Sequence, residues 1–336
     1  MELKSMNHAR SSTIALLSFW TYFCINRINP ANKEPMERLT EAEKEKILFI
    51  INPISGIRPK GNVQKNILKH LDNTRYRAEF HVTSCKGDAA AAVQAKLAEG
   101  YTKFVAVGGD GTVNEVASKI VGIEAALGIV PTGSGNGLAR HLRIPLNLKR
   151  AMAIINCGAV DRIDYGIVNK IPFFCTCGVG FDAQIGYRFA SNGKRGFFNY
   201  IKIVISDFLR YKSKKYKLKI DGEGKFKIRA FLITVANSSQ YGNNAYIAPL
   251  ADIRDGKLNL SIISPFKIFE APVIGLRLFT KRIDKSMMEH SGTISNVVIK
   301  RKNKDVVHYD GEPIIMGKKL RIRVVPGGLR VIVPAR

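Results

Sequence analysis

Three glycine-rich turns, each directly after a short apolar run, constrain this chain more than any other feature. Residues 47–51 are continuously apolar and end in Asn52-Pro53-Ile54-Ser55-Gly56; 104–107 lead into Gly108-Gly109-Asp110-Gly111-Thr112; 127–130 lead into Pro131-Thr132-Gly133-Ser134-Gly135-Asn136-Gly137. An apolar run without alternation is a strand buried on both faces, as in a parallel sheet. Between the runs, Val63, Ile67, Leu68 and Leu71 recur at helical spacing, 88–99 is Ala-rich, and 113–121 and 137–142 read as helices beginning at the turns. With a further strand at 77–83, the alternation predicts a doubly wound α/β domain over 46–160, whose ligand lies at the carboxyl ends of the strands. Glycine lets successive N–H groups approach an anion, and the following helix adds its positive end. One such turn is equally a plain strand-to-helix connection; three on one rim predict a phosphate site.

Beyond this domain the pattern changes. Residues 161–336 show strands at 163–168, 173–177, 216–220, 226–235, 258–263, 297–299, 320–325 and 329–333, with one longer amphipathic stretch at 196–211. This predicts an all-β, sandwich-like second domain whose last strand can return to the first sheet. Residues 1–45 read as a dispensable extension: its apolar part, 12–25, is too short to cross a bilayer and has no convincing small-residue cleavage site. With 46% hydrophobic and 24% charged residues the chain can bury a core, which excludes disorder as its main state. Five cysteines without C-x-x-C spacing argue against a disulfide framework or zinc site and for a reducing, cytoplasmic setting; Cys175 and Cys177 read as core residues.

The chain has no G-x-x-x-x-G-K-[ST] and no dinucleotide G-x-G-x-x-G followed by an acidic residue, so neither a P-loop nor a Rossmann dinucleotide site is expected. A carboxylate among phosphate-binding glycines repels the ligand unless a cation lies between them. Asp110 is therefore a candidate for organising Mg²⁺ on a nucleotide, or else a turn aspartate that caps the next helix.

VGGDGTVNEV, with IINPISG upstream and IVPTGSGNGLARHL downstream, resembles the diacylglycerol kinase catalytic domain family, which includes bacterial soluble lipid kinases and eukaryotic sphingosine and ceramide kinases. GGDGT alone is shared with NAD kinases and phosphofructokinases; the flanking motifs separate them. The resemblance runs from about residue 46 to the C-terminus and implies an ATP site formed by Asn52, Pro53, Ile54, Ser55, Gly56, Thr83, Gly108, Gly109, Asp110, Gly111, Thr112, Val113, Asn114, Glu115 and Ser134, with Asp110 essential. Tyr309-Asp310-Gly311-Glu312-Pro313 is similar to the family's late D-G-E motif, implying Glu312 as the base for the lipid hydroxyl and Asp310 as its support. From chemistry alone this segment is equally a turn between strands. Residues 249–258 resemble the segment that holds a structural Mg²⁺ in bacterial members, implying Asp252, Asp255 and the Lys257 carbonyl as ligands, although an ordinary surface turn has the same composition. Many bacterial relatives carry Asp after the Asn of the third motif. Here Gly137 follows Asn136, closer to the sphingosine kinase form, which leaves the lipid alcohol open.

Charge points to an anionic partner. Lys+Arg number 53 and Asp+Glu 27, a net +26; the first 46 residues hold seven against six, so +25 belongs to the remainder. Lys215, Lys217 and Lys219 alternate with Tyr216, Leu218 and Ile220, and Lys225, Lys227 and Arg229 with Phe226, Ile228 and Ala230. A loop at 221–223 with Gly224 as bulge sets Lys219 opposite Lys225, Lys217 opposite Lys227 and Lys215 opposite Arg229. Such a ribbon either meets an anionic bilayer or is a solvated edge that discourages strand pairing. Phe197, Phe198, Tyr200, Ile201, Phe208 and Leu209, interleaved with Lys202 and Arg210, suit shallow insertion or packing on the β core equally well. The expectation is an ATP- and Mg²⁺-dependent lipid kinase, peripheral on an anionic membrane and without a nucleic-acid partner; a homodimer stays open. The alternatives are an NAD kinase-like soluble kinase and a non-catalytic protein that binds anionic membranes or nucleic acid.

Overall fold

The structure, a computed structural model, describes residues 40, 43–56, 62–191, 197–221 and 224–335, with the backbone alone over 197–202. The apolar segment 12–25, loop residues Gly222 and Glu223, and the side chains of Phe197, Phe198, Tyr200, Ile201 and Lys202 lie outside the described residues.

The chain opens with β1 (Glu45–Ile51), α1 (Val63–His70), β2 (Tyr76–Val82), α2 (Asp88–Ala98), β3 (Lys103–Gly108), α3 (Asp110–Ile120) and β4 (Ala126–Pro131). These strands run parallel in the order β2-β1-β3-β4. Residues 47–51 are all buried, as a strand covered on both faces requires. A short α4 (Gly137–His141) follows, then α5 (Leu148–Cys157), which the sequence reading passes over although Asn147 is an N-cap, its side chain accepting from the Arg150 N–H.

The second half comprises β5 (Ala159–Val168), β6 (Ile171–Phe173), β7 (Thr176–Gly180), α6 (Phe181–Ser191), α7 (Phe197–Phe208), β8 (Lys214–Ile220), β9 (Lys225–Ala230), β10 (Leu232–Ala236), β11 (Gln240–Gly242) and β12 (Ala245–Tyr246). It continues through β13 (Leu258–Ile263), α8 (Ala271–Phe279), β14 (Glu289–Ile294), β15 (Asn296–Arg301), β16 (Asp305–Tyr309), β17 (Glu312–Met316) and β18 (Lys319–Val333). β18 pairs parallel with β4 and antiparallel with β5 and β15, so one mixed sheet, β2-β1-β3-β4-β18-β15-β8-β9, runs through both halves. A second, antiparallel sheet, β14-β13-β10-β7-β16-β17, lies over its far half. Leu218, Val297, Ile299 and Ile322 of the first sheet meet Cys177, Ile233, Val235 and Leu260 of the second in a sandwich core.

Three expectations need correction. The two strands expected at 320–325 and 329–333 are one, bent by a register shift between Val325 and Leu329, where a Cβ on Gly328 would stand 2.4 Å from the Tyr165 ring. The strand expected at 226–235 is β9 and β10, which belong to different sheets. The chain changes sheet at Phe231, whose N–H donates to Ile263 and whose carbonyl accepts from Phe181. Finally, the second half is not purely β: α6 packs on β7, β16 and β17, and Ile274 of α8 is buried with Leu232 and Ala236, on the outer face of the second sheet.

The basic hairpin has the register expected: Lys219 faces Lys225, Lys217 faces Lys227 and Lys215 faces Arg229. The same exposed face continues across Lys300 of β15 to Lys319, Arg321 and Arg323 of β18. The Lys319 ammonium is pushed below its ordinary value by Arg321, with burial, Lys300 and Lys219 adding to the effect. Among the described residues, no helix is long and apolar enough to cross a membrane.

Candidate active site

The three glycine turns meet at the carboxyl ends of β1, β3 and β4. A Cβ added to Gly133 would stand 2.4 Å from the Gly109 Cα, so the second and third turns touch backbone to backbone. Gly56, at φ +84°, brings the first turn against the Thr132 carbonyl, where Ser55 and Thr132 share a hydroxyl hydrogen bond of 2.9 Å. The Asn52 amide donates to the Thr112 hydroxyl at 3.2 Å and joins the first turn to α3. No side chain caps α3. Its positive end therefore opens toward this junction, an arrangement that suits a phosphate.

A cavity of about 280 Å³ lies there. Of the expected ATP-site residues, Asn52, Pro53, Ile54, Thr83, Gly111, Thr112, Asn114 and Glu115 line it, and Glu312 joins them from the second half of the chain. Others stand behind the wall. Ser55, Gly56 and Gly109 make the turn-to-turn contacts above, a Cβ on Gly108 would strike Thr112, and Ser134 is exposed at the tip of the third turn. Val113 is a correction: its side chain is in the hydrophobic core, because it falls on the sheet-facing side of α3.

Asp110 also departs from expectation. Its carboxylate accepts from the N–H groups of Asn136 (2.8 Å) and Gly137 (2.7 Å), so it caps α4, reached across the turns, instead of the helix it begins. Asn136 sits at φ 54°, its side chain bonded in both directions to Gly133. Burial pushes the Asp110 carboxyl up to about 6, partly offset by the Gly137 and Asn136 N–H groups. Both oxygens thus hold the third turn, each through one backbone N–H.

Asp310 precedes Glu312 in the turn between β16 and β17. Asp310 and Gly311 are the left-handed pair (φ 47° and 83°) of a tight turn joining Tyr309 to Glu312. The buried Asp310 carboxylate accepts from the N–H groups of Phe174, Cys175 and Thr176 and from the Asn114 amide, at 2.7–3.1 Å. It faces away from the cavity, ties α3 to the start of β7, and fixes the turn that carries Glu312. It is a positioning residue.

Glu312 lies at the mouth of α3, with Oε1 3.3 Å from where a Cβ on Gly111 would be. Its Oε2 accepts from Lys86 Nζ at 2.7 Å, and this bond raises the Lys86 ammonium above its ordinary value. Lys86 escapes the sequence reading, as do Ser84, Cys85 and Ala89, which also line the cavity together with Tyr309 of the late motif. A signal exists: Thr83-Ser84-Cys85-Lys86-Gly87 is a fourth strand-to-helix turn on the same rim, with Gly87 at φ +90° and its N–H held by Glu115.

The expected metal ligands at 252–257 form a turn closed by its own hydrogen bonds. Asp252 accepts from the Arg254 N–H and Asp255 from the Lys257 N–H, while buried Asp164 holds Gly256 and Gly327. Among the described residues, no group of three or more His, Cys, Asp or Glu side chains is placed to hold a metal ion.

Family models match the chain twice: the diacylglycerol kinase catalytic domain over residues 46–168 and the YegS C-terminal NAD kinase beta sandwich-like domain over 176–333. A protein of Pseudomonas aeruginosa described as "Probable lipid kinase YegS-like" is 32% identical over 302 residues, covering 87% of this chain and 96% of that one. "Diacylglycerol kinase" of Bacillus subtilis is 29% identical over 237 residues, 66% of this chain and 75% of that one. A crystal structure of a diacylglycerol kinase from Bacillus anthracis shares the fold, with a TM-score of 0.65 at 22% identity over 86% of this chain and 97% of that one. With the turns, the cavity and Glu312 in place, the chain belongs to the diacylglycerol kinase catalytic domain family, among its lipid kinases.

Proposed function

We propose that this protein transfers the γ-phosphoryl group of ATP to the hydroxyl of a lipid alcohol, diacylglycerol or a sphingoid-type relative, at an anionic membrane surface. The observation that carries this reading is the position of Glu312. This carboxylate reaches the uncapped end of α3 from the other half of the chain and lines the cavity there, which suits a base beside a bound γ-phosphate.

In this reading the β- and γ-phosphates take the first-turn N–H groups of α3 and the glycine backbone of the converging turns. Glu312 accepts the proton as the lipid oxygen bonds to the γ-phosphorus and the bond to the ADP oxygen breaks. Lys86 holds the Glu312 carboxylate in place and adds positive charge where the transferring group is most negative. Mg²⁺ bound to the nucleotide would neutralise its phosphates. Asp110 and Asp310 hold the turn and the hairpin that define the cleft.

The test is purified protein with γ-labelled ATP, Mg²⁺, a panel of lipid alcohols and NAD. Label in a lipid is expected; label in NAD and in no lipid refutes the reading and favours the soluble kinase.

A further inference from the structure

We propose that α8 and its flanks are the face by which this protein docks on an anionic lipid surface, a reading that rests on the lipid kinase function above. Ile274 and Leu278 of α8 pack against the second sheet, yet Val273, Leu276 and Phe279 on the opposite side point outward. Leu276 is 64% exposed, Phe279 51%, and the neighbouring Phe269 and Met287 69% and 91%. A helix apolar all round is ordinarily buried, and a contiguous apolar patch on a surface marks a partner. Beside it lies an open hollow of about 470 Å³, walled by Phe266, Phe269 and Met288 with Lys267 and Glu270 at its edge.

Charge selects the partner. Over 265–288 there are five basic residues (Lys267, Arg277, Lys281, Arg282, Lys285) and two acidic ones (Glu270, Asp284), and Lys267, Lys281, Arg282 and Lys285 are exposed. Apolar side chains ringed by cations fit an interface of acyl chains below anionic headgroups. The patch also communicates with the catalytic rim. Lys281 Nζ stands 4.6 Å from the Tyr246 ring on β12, and β12 pairs with β11. The loop between them donates from Asn243 N–H to the Gly135 carbonyl of the third glycine turn. These contacts connect the α8 region to the third glycine turn.

The geometry separates this face from the basic hairpin. α8 covers the outer side of the second sheet, whereas the cations of β8, β9, β15 and β18 project from the outer side of the first. One flat bilayer meets one of these faces, and the apolar one can insert. The basic sheet then acts at longer range, drawing the protein toward anionic surfaces.

The experiment is co-sedimentation of the full chain with equimolar phosphatidylcholine–phosphatidylglycerol vesicles containing no lipid alcohol, at physiological salt. The triple variant Phe269→Ser, Leu276→Ser, Phe279→Ser changes exposed positions only and is expected to lose roughly tenfold or more in partitioning. The triple variant Lys215→Glu, Lys217→Glu, Lys219→Glu is expected to keep most of it. Leu276→Trp in a chain whose native tryptophan is replaced, Trp20→Phe, supplies a second reading: its emission, now from position 276 alone, shifts to the blue on vesicle addition. Equal partitioning of the serine variant and the parent overturns the proposal. So does loss confined to the hairpin variant, or conversion of a dimer to a monomer by the serine changes with partitioning intact, which identifies a second copy as the occupant. Because these vesicles hold no substrate, a parent that docks through α8 but phosphorylates no lipid refutes the kinase reading alone.

Discussion

Replacing Asp310 with Ala tests whether the D-G-E motif is chemistry or architecture. Its carboxylate satisfies three backbone N–H groups and the Asn114 amide in a buried site. Each donor left without a partner costs about 1–3 kcal/mol. Ala also pays for the left-handed φ of 47° with about 1 kcal/mol. Allowing for relaxation, the loss is on the order of 4–6 kcal/mol, a large part of a typical folding free energy. Asp310→Asn keeps the size, one acceptor oxygen and tolerance of the turn, so about half that loss is expected. Asp310→Gly relieves the backbone strain and leaves the donors orphaned, so it is expected to fall close to Ala. Equilibrium urea unfolding, followed by far-UV circular dichroism, measures all three; the Ala midpoint is expected to drop by roughly 1–2 M. Stability within about 1 kcal/mol of the parent for Asp310→Ala, with turnover lost, would refute the positioning role and return Asp310 to the reaction itself.

Other expectations follow from the same geometry. The ionised Asp110 carboxylate holds the third turn, so kcat/KM is expected to fall as pH drops below about 6. Because this folded-state value lies above the ordinary 3.8, the folded chain takes up a proton between 3.8 and about 6, and the Asp110 contribution makes stability decrease as pH rises through that window. Comparing the parent and Asp110→Asn in pH-rate profiles and unfolding curves reads both effects. Gly133→Ala places a methyl group against Gly109 and is expected to cost about 1–3 kcal/mol and weaken nucleotide binding, seen by calorimetry. Lys319→Glu relieves repulsion from Arg321, Lys300 and Lys219, so its Tm is expected to exceed the parent's in low salt and to converge with it in high salt.

Patterns set by neighbouring stretches of chain were legible in the sequence, and pairings between distant side chains were not. The strand at 47–51 and the register of the lysine hairpin follow from periodicity and loop length, because each side chain's face is fixed by its own strand. The break at Phe231 escapes because an apolar run does not reveal that its halves serve different sheets. Asp110 and Asp310 were singled out by motif, but their partners lie 26 and more than 130 residues away. Only folding shows that the first caps α4 and the second braces β7. Lys86 lies on a turn with one glycine; its pairing with Glu312, 226 residues on, has no local signature.

Glu312 is proposed to take the proton of a lipid hydroxyl at the mouth of α3. Single-turnover transfer of labelled phosphate from ATP to the identified lipid, compared between the parent and Glu312→Gln with nucleotide affinity measured in parallel, tests it most directly. A fall of about 10²–10⁴ in the transfer rate, with ATP affinity retained, is expected. Transfer by Glu312→Gln at the parent's rate would contradict it.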